Sequence, residues 1–128
     1  MTRIQTTYSC LTEAEEQEAL FDWAQLRTGM WPELKLMYHV PNGGSRNRIE
    51  AARLKGQGVK PGVPDICLPV AREQYHGLYI EMKRRKGGKV STEQESWLEA
   101  LREQGYRAEV CRGWEEAKKM IEEYLKGE

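Results

Sequence analysis

Apolar residues recur along the chain with two different periods, which predict helices in some segments and strands in others. Thr12 and Glu15 have the spacing of a capping box, and a helix is expected from there to about Arg27. The apolar stripe of this helix consists of Leu20, Trp23 and Ala24. An apolar run over residues 36–40 then predicts a short strand, which is closed by a turn at residues 41–44.

The middle of the chain predicts a basic helix followed by two strands. Ser45 is expected to cap the basic helix, which ends at about Lys55 before two glycines. A strand is predicted over residues 65–70, after the Pro-rich and Gly-rich turn of residues 61–64. Residues 77–84 form the next strand, because apolar and polar residues alternate along it as they do where one face is buried.

Two more helices and one strand complete the pattern. Ser91 and Gln94 form a second capping box, which predicts a helix to about Gln104. A strand over residues 106–111 and an amphipathic helix over residues 114–125 follow. The order of elements therefore predicts a mixed α/β (α+β) fold, in which helices flank a small central sheet.

Composition restricts the class of protein. The 31% charged and 39% hydrophobic residues are typical of a globular protein, and one domain is expected over residues 1–128. No apolar run approaches the ~20 residues needed to cross a bilayer, and the start of the chain lacks the apolar segment of a signal peptide. Cys10, Cys67 and Cys111 fit neither a disulfide framework nor a zinc site, and we expect buried thiols in a reducing cytoplasm.

Positive charge is concentrated in the middle of the chain, although the formal net charge is zero. Residues 35–92 contain twelve Lys and Arg against four Asp and Glu, whereas residues 1–34 contain two against six and residues 93–128 six against ten. A basic centre between acidic helices suits a protein that grips a phosphate backbone with one face. The alternative is an ordinary solvated surface of mixed charge.

Glu81 and Lys83 are the strongest candidates for chemistry. Residues two apart share a face on a strand, whereas they point apart on a helix. Asp65 opens the preceding strand, although Asp is disfavoured in strands and the chain has only two Asp against 18 Glu. If the two strands pair as a hairpin with its turn centred near Glu73, Asp65 lies opposite Glu81 with Cβ atoms about 4.5–5.5 Å apart.

Two facing carboxylates predict a cation between them. Like charges opposite each other destabilise a sheet unless they are neutralised, and Mg²⁺ accepts two carboxylates together with water and phosphate oxygens. Lys83 is then expected to hold or help deprotonate the attacking water and to neutralise charge in the transition state. Its alternative role is a simple salt bridge to Glu81 or Asp65.

Glu16 and Gln94 are candidates with two interpretations each. Glu16 lies on the inward stripe of the first helix, where an acid needs a partner such as a metal site, but a first-turn Glu is also favoured by the helix dipole. Gln94 shares a face with apolar residues and so points inward, but it can also do no more than complete the Ser91 cap.

The remaining polar features predict contacts with a phosphate backbone. His39 is either a phosphate contact or a satisfied core histidine, and the Gly43-Gly44-Ser45 entry to the basic helix is either a phosphate site or a plain turn and cap. No motif that reads base edges is present, so sequence specificity is not expected. The candidate DNA contacts are His39, Asn42, Arg46, Arg48, Arg53, Lys55, Lys86 and Lys89.

These motifs resemble a known nuclease family. Pro64-Asp65, fifteen further residues and then Glu81-Met82-Lys83 are similar to the PD-(D/E)XK signature. The flanking stretches resemble its VRR-NUC branch, the virus-type replication-repair nucleases, over about residues 12–115. The stretches concerned are Glu16-Gln17 through Leu20-Phe21-Asp22-Trp23-Ala24, Pro41-Asn42-Gly43-Gly44, Gly62-Val63-Pro64-Asp65 and Ser91-Thr92-Glu93-Gln94.

The resemblance implies a restriction-endonuclease-like fold, with a central mixed sheet flanked by helices, and cleavage of DNA with Mg²⁺ or Mn²⁺. The active-site residues that it implies are Glu16, Asp65, Glu81, Lys83 and Gln94. The metal ligands that it implies are Glu16, Asp65, Glu81 and Met82. Glu15 and Glu18 compete with Glu16 for the acidic position of the first helix.

The resemblance also implies a substrate and an assembly. Stand-alone members of the family from phages and bacteria are homodimers that are associated with resolving four-way DNA junctions, whereas versions fused to other domains act on flaps. Since this chain carries no accessory domain, we expect a homodimeric endonuclease for branched DNA, with no membrane association. The alternatives are a DNA-binding module that no longer cuts and a nuclease for flaps or single strands.

Overall fold

The structure is a computed structural model that describes residues 11–41 and 47–127. Several of the predictions concern residues that lie outside these ranges, namely Cys10, Asn42, Gly43, Gly44, Ser45 and Arg46.

Helix α1 (Glu13–Leu26) begins with the predicted capping box. Thr12 Oγ1 accepts a hydrogen bond from the Glu15 N–H, and Glu15 Oε1 accepts one from the Thr12 N–H. These two bonds satisfy backbone donors that the first turn of a helix leaves free. The predicted apolar stripe is confirmed, since Leu20, Trp23 and Ala24 are all buried.

The strand predicted over residues 36–40 is largely wrong. Pro32 opens a 3₁₀ helix, Pro32–Leu36, and strand β1 contains only Tyr38–His39. Proline suits the first turn of a helix, because its φ angle is already near the helical value and its missing N–H would be unpaired there in any case. Leu36 therefore ends the 3₁₀ helix and is exposed.

Helix α2 (Arg48–Gly56) begins after the predicted position. Its N-cap is Asn47, whose side chain accepts a hydrogen bond of 2.7 Å from the Glu50 N–H. Asn and Ser cap helices equally well, so the sequence pattern does not distinguish them. No residue of α2 is buried.

Four strands form one mixed sheet in the order β1-β2-β3-β4. Strand β2 (Ile66–Leu68) is antiparallel to β1 and to β3 (Leu78–Lys83). Strand β4 (Arg107–Arg112) is parallel to β3, and helix α3 (Thr92–Glu103) connects them. A parallel pair needs such a crossover, because a short turn reverses the direction of the chain.

Helices cover both faces of the sheet, as predicted. Helices α1 and α4 (Trp114–Lys126) pack on the face formed by Leu78, Ile80 and Met82, where the main core lies. Helix α3 packs on the opposite face, against β4. The mixed fold is thereby confirmed. No helix of residues 11–41 and 47–127 combines the length and the apolar character needed to cross a membrane.

Candidate active site

Asp65 and Glu81 meet on one face of the sheet. Ile66 pairs with Ile80, and continuing this antiparallel register by one residue places Asp65 opposite Glu81. The predicted turn position also agrees, since Glu73 adopts a positive φ of 50° in the connecting turn. The side chain of Asp65 is held in place because its Oδ2 accepts a hydrogen bond of 2.8 Å from the Met82 N–H.

Glu81 is a buried carboxyl group that faces another carboxyl group. The residue is 1% exposed, and its Oε1 atom is buried without a hydrogen-bond partner. Burial and the neighbouring Asp65 raise the pKa of Glu81 to about 8, while Lys83 acts in the opposite direction. Even with Lys83 beside it, Glu81 is therefore charged in only a minority of molecules near neutral pH unless a metal cation binds.

Lys83 and Gln94 hold the other oxygen of Glu81. Lys83 Nζ lies 3.6 Å from Glu81 Oε2, and Gln94 Nε2 donates a 3.0 Å hydrogen bond to the same atom. Gln94 Oε1 also accepts a hydrogen bond from the Ser91 N–H, which closes the capping box of α3. The two interpretations of Gln94 are thus not exclusive, because its amide group has one end for each partner.

The carboxylates fit a divalent cation in composition. Among the described residues, no group of three or more His, Cys, Asp and Glu side chains is arranged to hold a metal ion. Mg²⁺, however, is commonly bound by one or two carboxylates with water and substrate phosphates as the other ligands. Two facing carboxylates and the unpartnered Glu81 Oε1 match that requirement. The side chain of Met82 points into the core, so only its backbone reaches this site.

Glu16 has partners other than the two carboxylates. It is fully buried, and its Oε2 accepts a 2.9 Å hydrogen bond from Arg85 Nε. Its Oε1 accepts a 3.0 Å bond from the Trp114 N–H at the start of α4, where the N-cap residue Gly113 has no side chain to offer. These contacts explain an acid on the inward face of α1 without a metal, and its role as a ligand stays a prediction.

Glu13 and Gln17 were missed by the sequence reasoning. Both line a cavity of about 330 Å³ together with His39, Asp65 and Met82. Glu13 Oε2 and Lys83 Cδ both lie beside Gly88, at 3.7 Å and 3.8 Å from a Cβ atom built on that residue. The sequence could have indicated that Glu13 and Gln17 face inward, because residues 13 and 17 extend the stripe of Leu20 and Ala24 towards the start of the helix.

The predicted DNA contacts within the described residues lie on the surface. His39 is exposed rather than in the core, and its Nδ1 lies 2.8 Å from the accepting carbonyl oxygen of Asp65. Their binding to phosphate stays a prediction. The exposed cationic side chains of this set are Arg48, Arg53, Lys55, Lys86 and Lys89.

Comparison with known proteins identifies a family. The model of the VRR-NUC domain matches residues 6–115 of this chain. A solved structure of a VRR-NUC domain protein is similar, with a TM-score of 0.79 and 32% sequence identity over 92% of this chain and 91% of that one. Comparison with curated proteins gives no match. The chain therefore belongs to the VRR-NUC family, and its function is of the nuclease type.

Proposed function

We propose that this protein is an endonuclease that requires a divalent cation and hydrolyses phosphodiester bonds in branched DNA such as four-way junctions. One observation carries the proposal: the carboxyl groups of Glu81 and Asp65 face each other beside Lys83, and the buried Glu81 Oε1 has no hydrogen-bond donor from any other group of the described residues. Leaving such a group unsatisfied is costly, so the arrangement favours a cation that completes it.

Asp65 and Glu81 are the residues that would hold Mg²⁺ or Mn²⁺. When bound, such a cation polarises a phosphoryl oxygen and makes a bound water easier to deprotonate. Asp65 is aimed by the Met82 N–H and Glu81 by the Gln94 amide, so neither carboxylate has to reorganise. Preorganised groups of this kind stabilise charge that develops during a reaction.

Lys83 supplies the positive charge at the reacting phosphate. Its ammonium group is buried and lies 3.6 Å from Glu81 Oε2, which restricts it to the edge of the carboxylate pair. From there it holds the attacking water or neutralises charge on the phosphate oxygens as the new bond forms. An ammonium group in this low-dielectric position acts more strongly than one in bulk water.

Helix α1 contributes an acid from the other side of the cavity. We assign this role to Glu13, which lines the cavity with Asp65, and we assign to Glu16 the positioning of Arg85. The exposed cationic side chains of α2 and of the loop after β3 would then contact the phosphate backbone. Symmetrical cleavage of a four-way junction needs two sites, so the active form would be a homodimer that light scattering measures at twice 14.8 kDa.

A cleavage assay with matched aspartate variants tests the proposal. Asp65→Asn removes a carboxylate from the site, whereas Asp22→Asn alters an exposed aspartate on α1. The wild-type protein and Asp22→Asn are expected to place paired nicks in a labelled four-way junction with Mg²⁺ or Mn²⁺, and EDTA to abolish them. Asp65→Asn is expected to cut at least about 100-fold more slowly, the loss of roughly 2.7 kcal/mol of transition-state stabilisation.

Three outcomes would change the proposal. Equal cleavage by Asp65→Asn would disprove the role of this site. Junction binding without cleavage in either cation would select the DNA-binding module. Faster cleavage of flapped or single-stranded DNA than of four-way junctions would keep the nuclease and change its substrate.

A further inference from the structure

A second row of side chains crosses the sheet beside the carboxylate pair. In the register of the four strands, Tyr38 pairs with Cys67, Cys67 with Tyr79, and Tyr79 with Ala108. Residues two apart on a strand share a face, so this row lies on the same face as Asp65 and Glu81. Two residues span about 6.6 Å along a strand, which is the separation of the two rows.

The row forms an aromatic surface that extends to the edge of the sheet. Tyr38 is 50% exposed on the edge strand β1. The rings of Tyr79 and Tyr106 lie 5.3 Å apart at an angle of 78°, and His76 contacts Tyr106 at 5.8 Å. We call Tyr38, Tyr79, Tyr106 and His76 the aromatic row. The strand residues beside these rings, Cys67 and Ala108, are small and buried.

We propose that the aromatic row stacks with an unpaired nucleobase of the strand whose phosphate lies at Asp65 and Glu81. This inference rests on the proposed function and adds to it that a nucleotide next to the cleavage point of the branched DNA is unpaired when bound.

Three properties of the row favour a nucleobase. A paired base inside a duplex has both faces covered by its neighbours, so only an unpaired base offers a free face to an aromatic ring. No carboxylate belongs to the row, so nothing in it repels a nucleotide. The row also reaches the edge of the sheet, where Tyr38 is 50% exposed and accessible to a base.

The core does not account for Tyr38. Strand β1 has two residues, and both are exposed. Tyr38 lies on the strand next to that of Asp65 and two strands from Glu81, so an exposed ring there is placed to contact a nucleotide beside the one that they hold. Stacking between bases and aromatic side chains tolerates every base, which agrees with the absence of a base-reading motif.

Fluorescence of 2-aminopurine tests the inference without cleavage. Two DNA duplexes are compared in EDTA, one with a single unpaired 2-aminopurine nucleotide and one with the same nucleotide paired. The wild-type protein is expected to bind the unpaired probe more tightly and to quench it. Tyr38→Ala should weaken binding of the unpaired probe about tenfold and leave binding of the paired probe unchanged.

Two further variants serve as controls. Tyr38→Trp keeps a larger ring and should retain the quenching, while Leu36→Ala removes an exposed apolar side chain two residues away and should behave as the wild type. Wild-type affinity of Tyr38→Ala for the unpaired probe would overturn the inference. In that case normal cleavage by the wild type leaves the proposed function standing. If binding of the unpaired probe depends on Tyr38 but no DNA is cleaved in Mg²⁺ or Mn²⁺, only the proposed function is contradicted. Absence of DNA binding removes both.

Discussion

Glu81 is the residue of the candidate site whose negative charge is most unfavourable in the folded protein. Its carboxyl group is buried, faces Asp65 and has one oxygen without a partner. In the metal-free protein the pKa of Glu81 is about 8, compared with 4.5 for an unperturbed glutamate. A carboxyl group whose pKa is raised by folding stabilises the folded state only while it is protonated.

The first prediction concerns the pH dependence of stability. In EDTA, the contribution of Glu81 to the free energy of unfolding is fully present below about pH 4.5 and is lost as the pH rises through about 8. Urea unfolding of the wild type and of Glu81→Gln between about pH 4.5 and pH 8 measures how the free energy of unfolding of each protein changes with pH. Glu81→Gln should lose less stability than the wild type as the pH rises. Parallel curves for the two proteins would contradict the raised pKa.

Two capping boxes of the same kind allow a comparison at the scale of the helix. Glu15 closes the box of α1 and is exposed, whereas Gln94 closes the box of α3 and also donates to Glu81 Oε2. The two capping bonds are equivalent: the Thr12 N–H donates to Glu15 Oε1 and the Ser91 N–H donates to Gln94 Oε1, each over 2.9 Å. Any difference between the two positions therefore reports the contact with Glu81.

The second prediction uses these boxes as a matched pair. Glu15→Ala and Gln94→Ala should each lower the free energy of unfolding by about 1 kcal/mol, the usual net contribution of one hydrogen bond, which here is the bond to the N-cap N–H. Only Gln94→Ala should also slow cleavage, because Glu81 then loses a bond that aims it. Thermal unfolding and the junction assay measure the two effects. Equal effects on cleavage would reduce Gln94 to a capping residue.

The elements also show where local patterns were sufficient. The capping boxes of α1 and α3, the alternation along β3 and the turn near Glu73 all depend on residues close in sequence, and the structure confirms each. Strand β1 was mispredicted, since an apolar run of this length is compatible with a strand and with a 3₁₀ helix.

At the scale of the whole molecule, one ion-pair network that contains the buried Glu16 joins three parts of the fold. Arg85, in the loop after β3, contacts Glu16 of α1 at 2.9 Å and Glu115 of α4 at 2.6 Å. Glu16 in addition binds the first N–H of α4. The network thus ties the two helices of the main core to the segment that follows Lys83, and we infer that Glu16 acts through this segment rather than at the metal.

The third prediction separates that role from metal binding. Glu16→Gln should lower the free energy of unfolding by about 2–3 kcal/mol, because a buried bond to a charged partner is lost, whereas the exposed Glu18→Gln should have little effect. The rise in melting temperature on adding Mg²⁺ should persist in Glu16→Gln and shrink in Glu13→Gln. Unchanged stability with loss of the Mg²⁺ effect in Glu16→Gln would instead make Glu16 a ligand.

The sequence by itself determined the types of all elements except the 3₁₀ helix before β1, the capping of α1 and α3 and the pairing of Asp65 with Glu81, because each follows from spacing within a short segment or across one hairpin. Only the tertiary structure decided which acid of α1 faces the cavity. Glu13 and Glu16 are both in the first turn, and their roles depend on Asp65, Arg85 and Trp114, which are 52 to 98 residues away in the chain. Helical periodicity specifies which side of a helix is inward, but the partners found there are set by how the helices and the sheet pack.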